Sequence, residues 1–136
     1  MNPEQLNGAA LAYMGDAIYE TYVRAHVLAS GKTQANRLHR AAIKYVEAAG
    51  QAYAMQAWIA QEDFLSDQEI DMYRRGRNHK ANTKAKNASI QDYRQATGFE
   101  ALLGWLFLSQ QEERLSFLIH DAIERIERRG QDESKA

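Results

Sequence analysis

Apolar and polar positions repeat at helical spacing through almost the whole chain, and no strand-length run alternates between them. Leu11, Met14, Ile18, Tyr22 and Ala25 form one apolar stripe, and Tyr13, Val23 and Val27 form a second on roughly the opposite side of the same helix. That helix is predicted over residues 3–30, behind an Asn2 cap and with Gly31 as its stop. Thr33 is the expected cap of a second helix over 34–47, with Leu38, Ala41, Ala42, Tyr45 and Val46 inward. A third spans 48–60 and carries Tyr53, Met55, Ala57, Trp58 and Ile59. Ser66 and Glu69 make a capping box, so a fourth helix is expected from Asp67. It runs through Ile70 and Tyr73 into a segment rich in Gly, Asn and Thr, read as a helix end and a long loop. Ser89 with Asp92 starts a fifth helix extending to about Ser109. The last covers 112–128 with Leu115, Leu118, Ile119, Ala122 and Ile126 inside, and Gly130 is expected to end it. The fold class is therefore all-α, one domain over 1–130 with a disordered polar tail at 131–136.

Composition narrows the chemistry. A chain of 136 residues, 45% hydrophobic, can bury one real core and has no cysteine for disulfides or thiolate metal sites. The first residues lack the basic and apolar regions of a signal peptide, and no apolar run approaches the roughly 18–20 residues of a membrane span. A soluble, cytoplasmic protein is expected. The net charge of −1 conceals an asymmetry. Residues 72–91 hold six Lys or Arg and no acid, while the other 11 cations face all 18 acids. An acidic body with one basic strip suits a polyanionic partner.

Two acids stand out against their surroundings. Asp16 lies on the second apolar side of the first helix, with Ala9 and Ala12 in the turns before it and Glu20 one turn after. A helix apolar on two sides is expected to be interior, and a carboxylate there requires either a cation on a neighbouring helix or a metal ion shared with another acid. Glu100 is the single charged residue in 95–111, on a face with Thr97 and Gly104, and Gly98 and Gly104 would admit a close backbone neighbour. Crossing of the two helices would bring Asp16 and Glu100 together. Oxygen ligands without thiolates or paired histidines suit Mg²⁺ or Mn²⁺ rather than zinc. A structural salt bridge accounts equally well for either acid taken alone. Glu20 reads as a structural acid, and Gly31-Lys-Thr33 is no phosphate loop, because His26 stands where its first glycine is required.

The stretch Leu11-Ala-Tyr-Met-Gly-Asp-Ala-Ile-Tyr-Glu20 resembles the signature helix of the ribonuclease III catalytic domain, and Phe99-Glu-Ala-Leu-Leu-Gly104 resembles its second acidic helix. The likeness runs from about residue 6 to 126. With Arg75-Gly-Arg-Asn78 and Tyr93-Arg94, it is most similar to the short bacterial branch, Mini-ribonuclease III, which has no double-stranded-RNA-binding domain. Ribonuclease III carries further acids where this chain has Ala9, Ala12 and Thr97, so only Asp16 and Glu100 are carried over as metal and catalytic residues.

The resemblance implies a ribonuclease III helical fold, a homodimer, and Mg²⁺-dependent hydrolysis of double-stranded RNA to 5′-phosphate ends with two-nucleotide 3′ overhangs. Its usual substrate is the 23S ribosomal RNA precursor, processed in ribosome biogenesis. The reduced set of two acids implies one firmly held ion and weak metal binding before RNA arrives. On the basic strip Arg74, Arg75, Arg77, Lys80, Lys84 and Lys86 are expected at phosphates, with Asn78, His79 and Asn82 at 2′-hydroxyls or base edges. A catalytically inactive RNA-binding module of the same fold is the competing reading, raised by the missing acids. A helical domain that binds an acidic protein is a third.

Overall fold

The computed structural model describes residues 1–79 and 89–135, and the side chains of 1–79 and 89–132. Among them, every regular element is helical: a short 3₁₀ turn at Pro3–Gln5, then α1 Gly8–Ala29, α2 Ala35–Val46, α3 Ala48–Ala60, α4 Asp67–Arg77, α5 Ile90–Leu108 and α6 Glu112–Lys135. Each of the six helices overlaps the segment where the spacing predicts one. The Ser66–Glu69 capping box is formed in both directions, and Ser89 accepts from the Asp92 backbone N–H.

Three boundaries differ from expectation. Asn2 caps only the 3₁₀ turn, and α1 starts afresh at Gly8 because the Asn7 side chain accepts from the Ala10 N–H. Gln34, not Thr33, precedes α2, with no side-chain cap. Gly130 does not end α6, which continues through residues 131–135 in place of the expected tail. A single glycine in a helix costs only about 1 kcal/mol relative to alanine, and no left-handed cap or proline follows it.

α5 is the central helix. Phe99, Ala101, Leu102, Leu103, Trp105 and Leu106 are buried around it, against α1, α3, α4 and α6. The packing against α1 and α4 is unusually close. A Cβ on Gly15 would fall on the carbonyl of Glu100, and one on Gly104 on the carbonyl of Leu11. On the other flank, a Cβ on Gly76 would stand 2.7 Å from the Thr97 carbonyl, and one on Gly98 2.7 Å from that of Tyr73. Both helices of each pair thus present glycine at the crossing.

Polar bonds tie the outer helices down. Glu69, 4% exposed, receives Arg114 from α6 at 2.8 and 2.9 Å, and Arg114 also donates to the Phe64 carbonyl at 2.7 Å. Burial alone would raise the Glu69 pKa, but Arg114 and the Ser66 cap hold it below the ordinary value. On the opposite side Tyr19 donates to the Tyr45 carbonyl at 2.9 Å, and Tyr45 and His26 both bond Glu127 on α6.

The glycines make a paired test. Gly104→Ala should destabilise the chain by about 3 kcal/mol or more, because two backbones rather than a flexible side chain must separate. Gly130→Ala, whose Cβ meets nothing within 4 Å, should instead stabilise α6 by up to about 1 kcal/mol. Urea unfolding of both variants reads out the contrast, and equal effects would refute the close-crossing account.

Candidate active site

Helix α1 buries one row, Gly8, Leu11, Ala12, Gly15, Tyr19, Val23 and Val27, and not the two stripes read from its sequence. The i, i+4 repeat of that row is what an intimate crossing at Gly15 selects. The expectation that Asp16 is interior is therefore corrected: Asp16 is exposed in the single chain, and Tyr13, three residues before it, is 83% exposed. Glu100 is partly buried on α5. The crossing of Gly15 with the Glu100 backbone places the two acids side by side, as their sequence contexts predict.

The electrostatics of this pair separate the two ways of compensating Asp16. Glu100 has its pKa pushed up to about 9, first by burial and then by hydrogen bonding to and repulsion from Asp16. A salt-bridged carboxylate would move the other way. Among the described residues neither Asp16 nor Glu100 belongs to an ion pair. Two convergent carboxylates without a cation form a site that a divalent ion would neutralise. No group of three or more His, Cys, Asp or Glu able to hold a metal occurs among the described residues, so any protein ligation at this pair would rest on two acids. Mg²⁺ suits such a sparse oxygen set, since it retains several waters. Thr97 lies one turn before Glu100; its hydroxyl donates to the Tyr93 carbonyl at 2.9 Å, which leaves its oxygen lone pairs free.

One polar residue of the site escaped the sequence reading. Gln51, in the first turn of α3, is 2% exposed, donates to the Val46 carbonyl at 3.2 Å, and is the one influence that pulls the Glu100 pKa back down. Its sequence context, Ala49-Gly-Gln-Ala52, carries no motif. Glu20 bonds Arg24 across one exposed helical turn, in keeping with a structural role. The histidines form no metal cluster: His26 bonds Glu127, and His120 bonds the Ser116 carbonyl in its own helix.

The basic strip divides in two. Arg75 donates to the carbonyls of Glu4 and Leu6 at 2.5 and 3.0 Å, so it fastens the N-terminal turn onto α4. Arg74, Asn78 and His79 are exposed; Arg77 is half-buried, stacked over Tyr73 and bonded to Asn78 at 3.2 Å. Lys80, Asn82, Lys84 and Lys86, with the expected long loop, lie outside the described residues. The Gly76 crossing anchors this end of α4 beside Thr97, one turn from Glu100.

The ribonuclease III domain family matches residues 9–111. Mini-ribonuclease 3 of Enterococcus faecalis is 53% identical over 123 residues, covering 90% of this chain and 92% of the relative. Mini-ribonuclease 3 of Streptococcus pneumoniae is 44% identical over 122 residues, covering 90% and 94%. The X-ray crystal structure of a Fusobacterium nucleatum protein is similar with a TM-score of 0.78 at 27% identity, over 88% of this chain and 93% of that one.

The acid pair predicts a pH signature in the metal-free chain. Between the ordinary glutamate pKa of 4.5 and about 9, folded Glu100 keeps a proton that the unfolded chain has released. Stability is then greatest below that window and falls as pH rises through it, by at most about 1.4 kcal/mol per pH unit. Glu100→Gln should flatten this slope and exceed wild type in stability at pH 8. Urea unfolding in EDTA from pH 5 to 9 checks it, and parallel profiles would refute it.

Proposed function

Because the chain belongs to the Mini-ribonuclease 3 branch of the ribonuclease III family, we propose that it is an endoribonuclease that cuts double-stranded RNA in a Mg²⁺-dependent reaction at Asp16 and Glu100. The observation that carries this reading is the convergence of two carboxylates, uncompensated by any cation among the described residues, at the crossing of the two helices. Asp16 and Glu100 would hold the ion, with Mn²⁺ an acceptable substitute. Once bound, it would lower the pKa of a water ligand and neutralise charge on the attacked phosphate. Hydrolysis would leave 5′-phosphate and 3′-hydroxyl ends.

The chain's own residues would supply the rest. Arg74 and Arg77 lie at the end of α4, whose Gly76 crosses α5 at Thr97, one turn before Glu100, and phosphates flanking the cut would pass along this end. Asn78 and His79 offer donors to 2′-hydroxyls in the shallow minor groove of A-form RNA. Lys80, Lys84 and Lys86 continue the same charge. Arg75 is assigned to the fold rather than to phosphate, given its two carbonyl bonds. The 23S ribosomal RNA precursor is the proposed natural duplex, and maturation of its ends in the cytoplasm the proposed task.

Cutting both strands of a duplex requires two sites, which a homodimer would provide. Tyr13 supports this, since a large aromatic so exposed beside the acid pair is unfavourable in an isolated chain. Leu28, Ile43 and Val46 are also exposed, around a separate groove of about 380 Å³ between α1 and α2. Tyr13→Arg should shift sedimentation toward the monomer and lower duplex cleavage, while leaving the helical circular dichroism unchanged. A dimer unaffected by it would refute this interface.

Incubation of a long double-stranded RNA with wild type and Asp16→Asn, in Mg²⁺ and in EDTA, tests the activity. Wild type should cut only with Mg²⁺, and the variant should lose on the order of 10³-fold in rate while still binding the duplex in Ca²⁺. Binding in Ca²⁺ should weaken steeply with salt. A wild type that binds and never cuts would establish the inactive RNA-binding module instead.

A further inference from the structure

Beside the Gly76–Gly98 crossing, the end of α4 and the first turns of α5 enclose a cleft of about 680 Å³. Its α4 wall carries Arg77 and Asn78, and its α5 wall carries Arg94 and Gln95, which have no part in the reaction as described. Gln95 and Arg94 precede Gly98 by three and four residues, so helical spacing turns both toward α4 with it. The near contact of the two backbones at the crossing holds the walls at a fixed separation. Arg77 is held as well, stacked over the Tyr73 ring at 5.4 Å and bonded to Asn78 at 3.2 Å.

The chemistry of the lining is one-sided. No Asp or Glu is among the described residues that form it, although the whole chain carries a net charge of −1. Arg94 is exposed and enters no ion pair among the described residues. Such a cleft suits an anion.

Gln95 adds a second requirement. Its Oε1 is buried and has no hydrogen-bond partner among the described residues. A buried acceptor without a donor costs the fold and does not support it. Rotation about the last side-chain torsion exchanges the oxygen and the NH₂, so the amide can offer the cleft either an acceptor or a donor. Arginine only donates. In RNA the 2′-hydroxyl both donates and accepts, and DNA lacks it.

We propose that this cleft receives one ribose–phosphate unit of the RNA duplex, with Arg94 at the phosphate and the Gln95 amide at the 2′-hydroxyl, so that α5 tells RNA from DNA. Gln95 lies five residues before Glu100, about 7.5 Å along the helix, so one bound strand can reach both. The proposal rests on the RNA-binding half of the nuclease reading and not on cleavage.

Gln95→Leu removes the amide at similar size. Affinity in Ca²⁺ is measured by fluorescence anisotropy for an RNA duplex and for the same sequence carrying 2′-fluoro in place of 2′-hydroxyl, which keeps the A-form. Gln95→Leu should bind the RNA duplex about fivefold more weakly, yet bind the 2′-fluoro duplex within about twofold of wild type. Arg94→Ala should weaken both duplexes by one common factor, about fivefold, and reduce the salt slope by about one. The urea midpoint of Gln95→Leu should be no lower than that of wild type, because the oxygen it removes has no partner.

Equal losses on both duplexes in Gln95→Leu, or a loss on neither, would overturn the 2′-hydroxyl contact and leave the nuclease reading intact. Arg94→Ala binding both duplexes like wild type would overturn the phosphate contact. If Gln95→Leu fails to fold, Gln95→Ala enters the same comparison with the same expectations. A wild type that binds and never cuts loses only the nuclease reading, and the two duplexes still decide the cleft. A wild type that binds neither duplex overturns the proposal together with the reading beneath it.

Discussion

The crossing of α1 and α5 is the constraint on which the rest of the molecule depends. Gly15 and Gly104 face each other's helix with nothing between the backbones, so the pair is as close as two helices can pack. Each glycine costs about 1 kcal/mol of helix stability relative to alanine, a cost offset by the dispersion contacts that such proximity permits. The return is positional. Asp16 directly follows Gly15, and Glu100 lies one turn before Gly104, so the contact that builds the core also sets the distance between the acids. A second glycine crossing, Gly76 with Gly98, fixes α4 on the opposite flank of α5 and starts the basic strip beside the same turn.

The surrounding polar bonds keep that crossing from sliding. Tyr19, on the buried row of α1, packs edge-on against Phe99 at 5.0 Å and reaches the Tyr45 carbonyl, joining α1, α5 and α2 through one side chain. Tyr45 in turn donates to Glu127 at 2.7 Å, with His26 on the same oxygen, so α6 closes the ring back to α1. The tyrosine hydroxyls are held well above their usual pKa, by burial first and then by neighbouring acidic groups, and so remain neutral donors. Arg75 does the same for the N-terminal turn, which would otherwise hang free of α4. Arg75 is thus structural, and a charge tally along the sequence overstates by it what faces a ligand.

The all-α class, the caps at Ser66 and Ser89, and the meeting of Asp16 with Glu100 were legible because each depends on local spacing or on a conspicuous acid in apolar surroundings. The burial of Asp16 was misread for a definite reason. Apolar spacing registers that a face is apolar, not that the chain covers it, and Tyr13 contributes to a stripe that this chain leaves open. Thr33 and Gly130 carried boundary signals that packing and neighbouring helix formers overrode. Gln51 is invisible in the sequence, since a lone glutamine in a small-residue helix carries no periodic or compositional mark, and its burial and bond to the Val46 carbonyl, five positions away, arise only in the fold. Arg75 shows the converse case, a residue whose type fits phosphate binding but whose position assigns it to two carbonyls.

The reduced acid set has its own physical logic. The ribonuclease III pattern places further carboxylates at positions 9, 12 and 97, and here Ala12 is buried against the core while Thr97 is bonded into its own helix. Another carboxylate at either place would add to a site where a single pair already drives Glu100 far from its ordinary pKa. Two acids lower the self-repulsion that the fold must carry without metal, but they also weaken the field that attracts a cation. If a metal is held here as proposed, the missing ligands would have to come from water and from the phosphate oxygens of RNA, and occupancy of the metal position would then depend on the duplex being in place. Metal capture and substrate recognition would become one event, a guard against cutting before the substrate is seated. That coupling follows from subtraction of charge, with no moving part required.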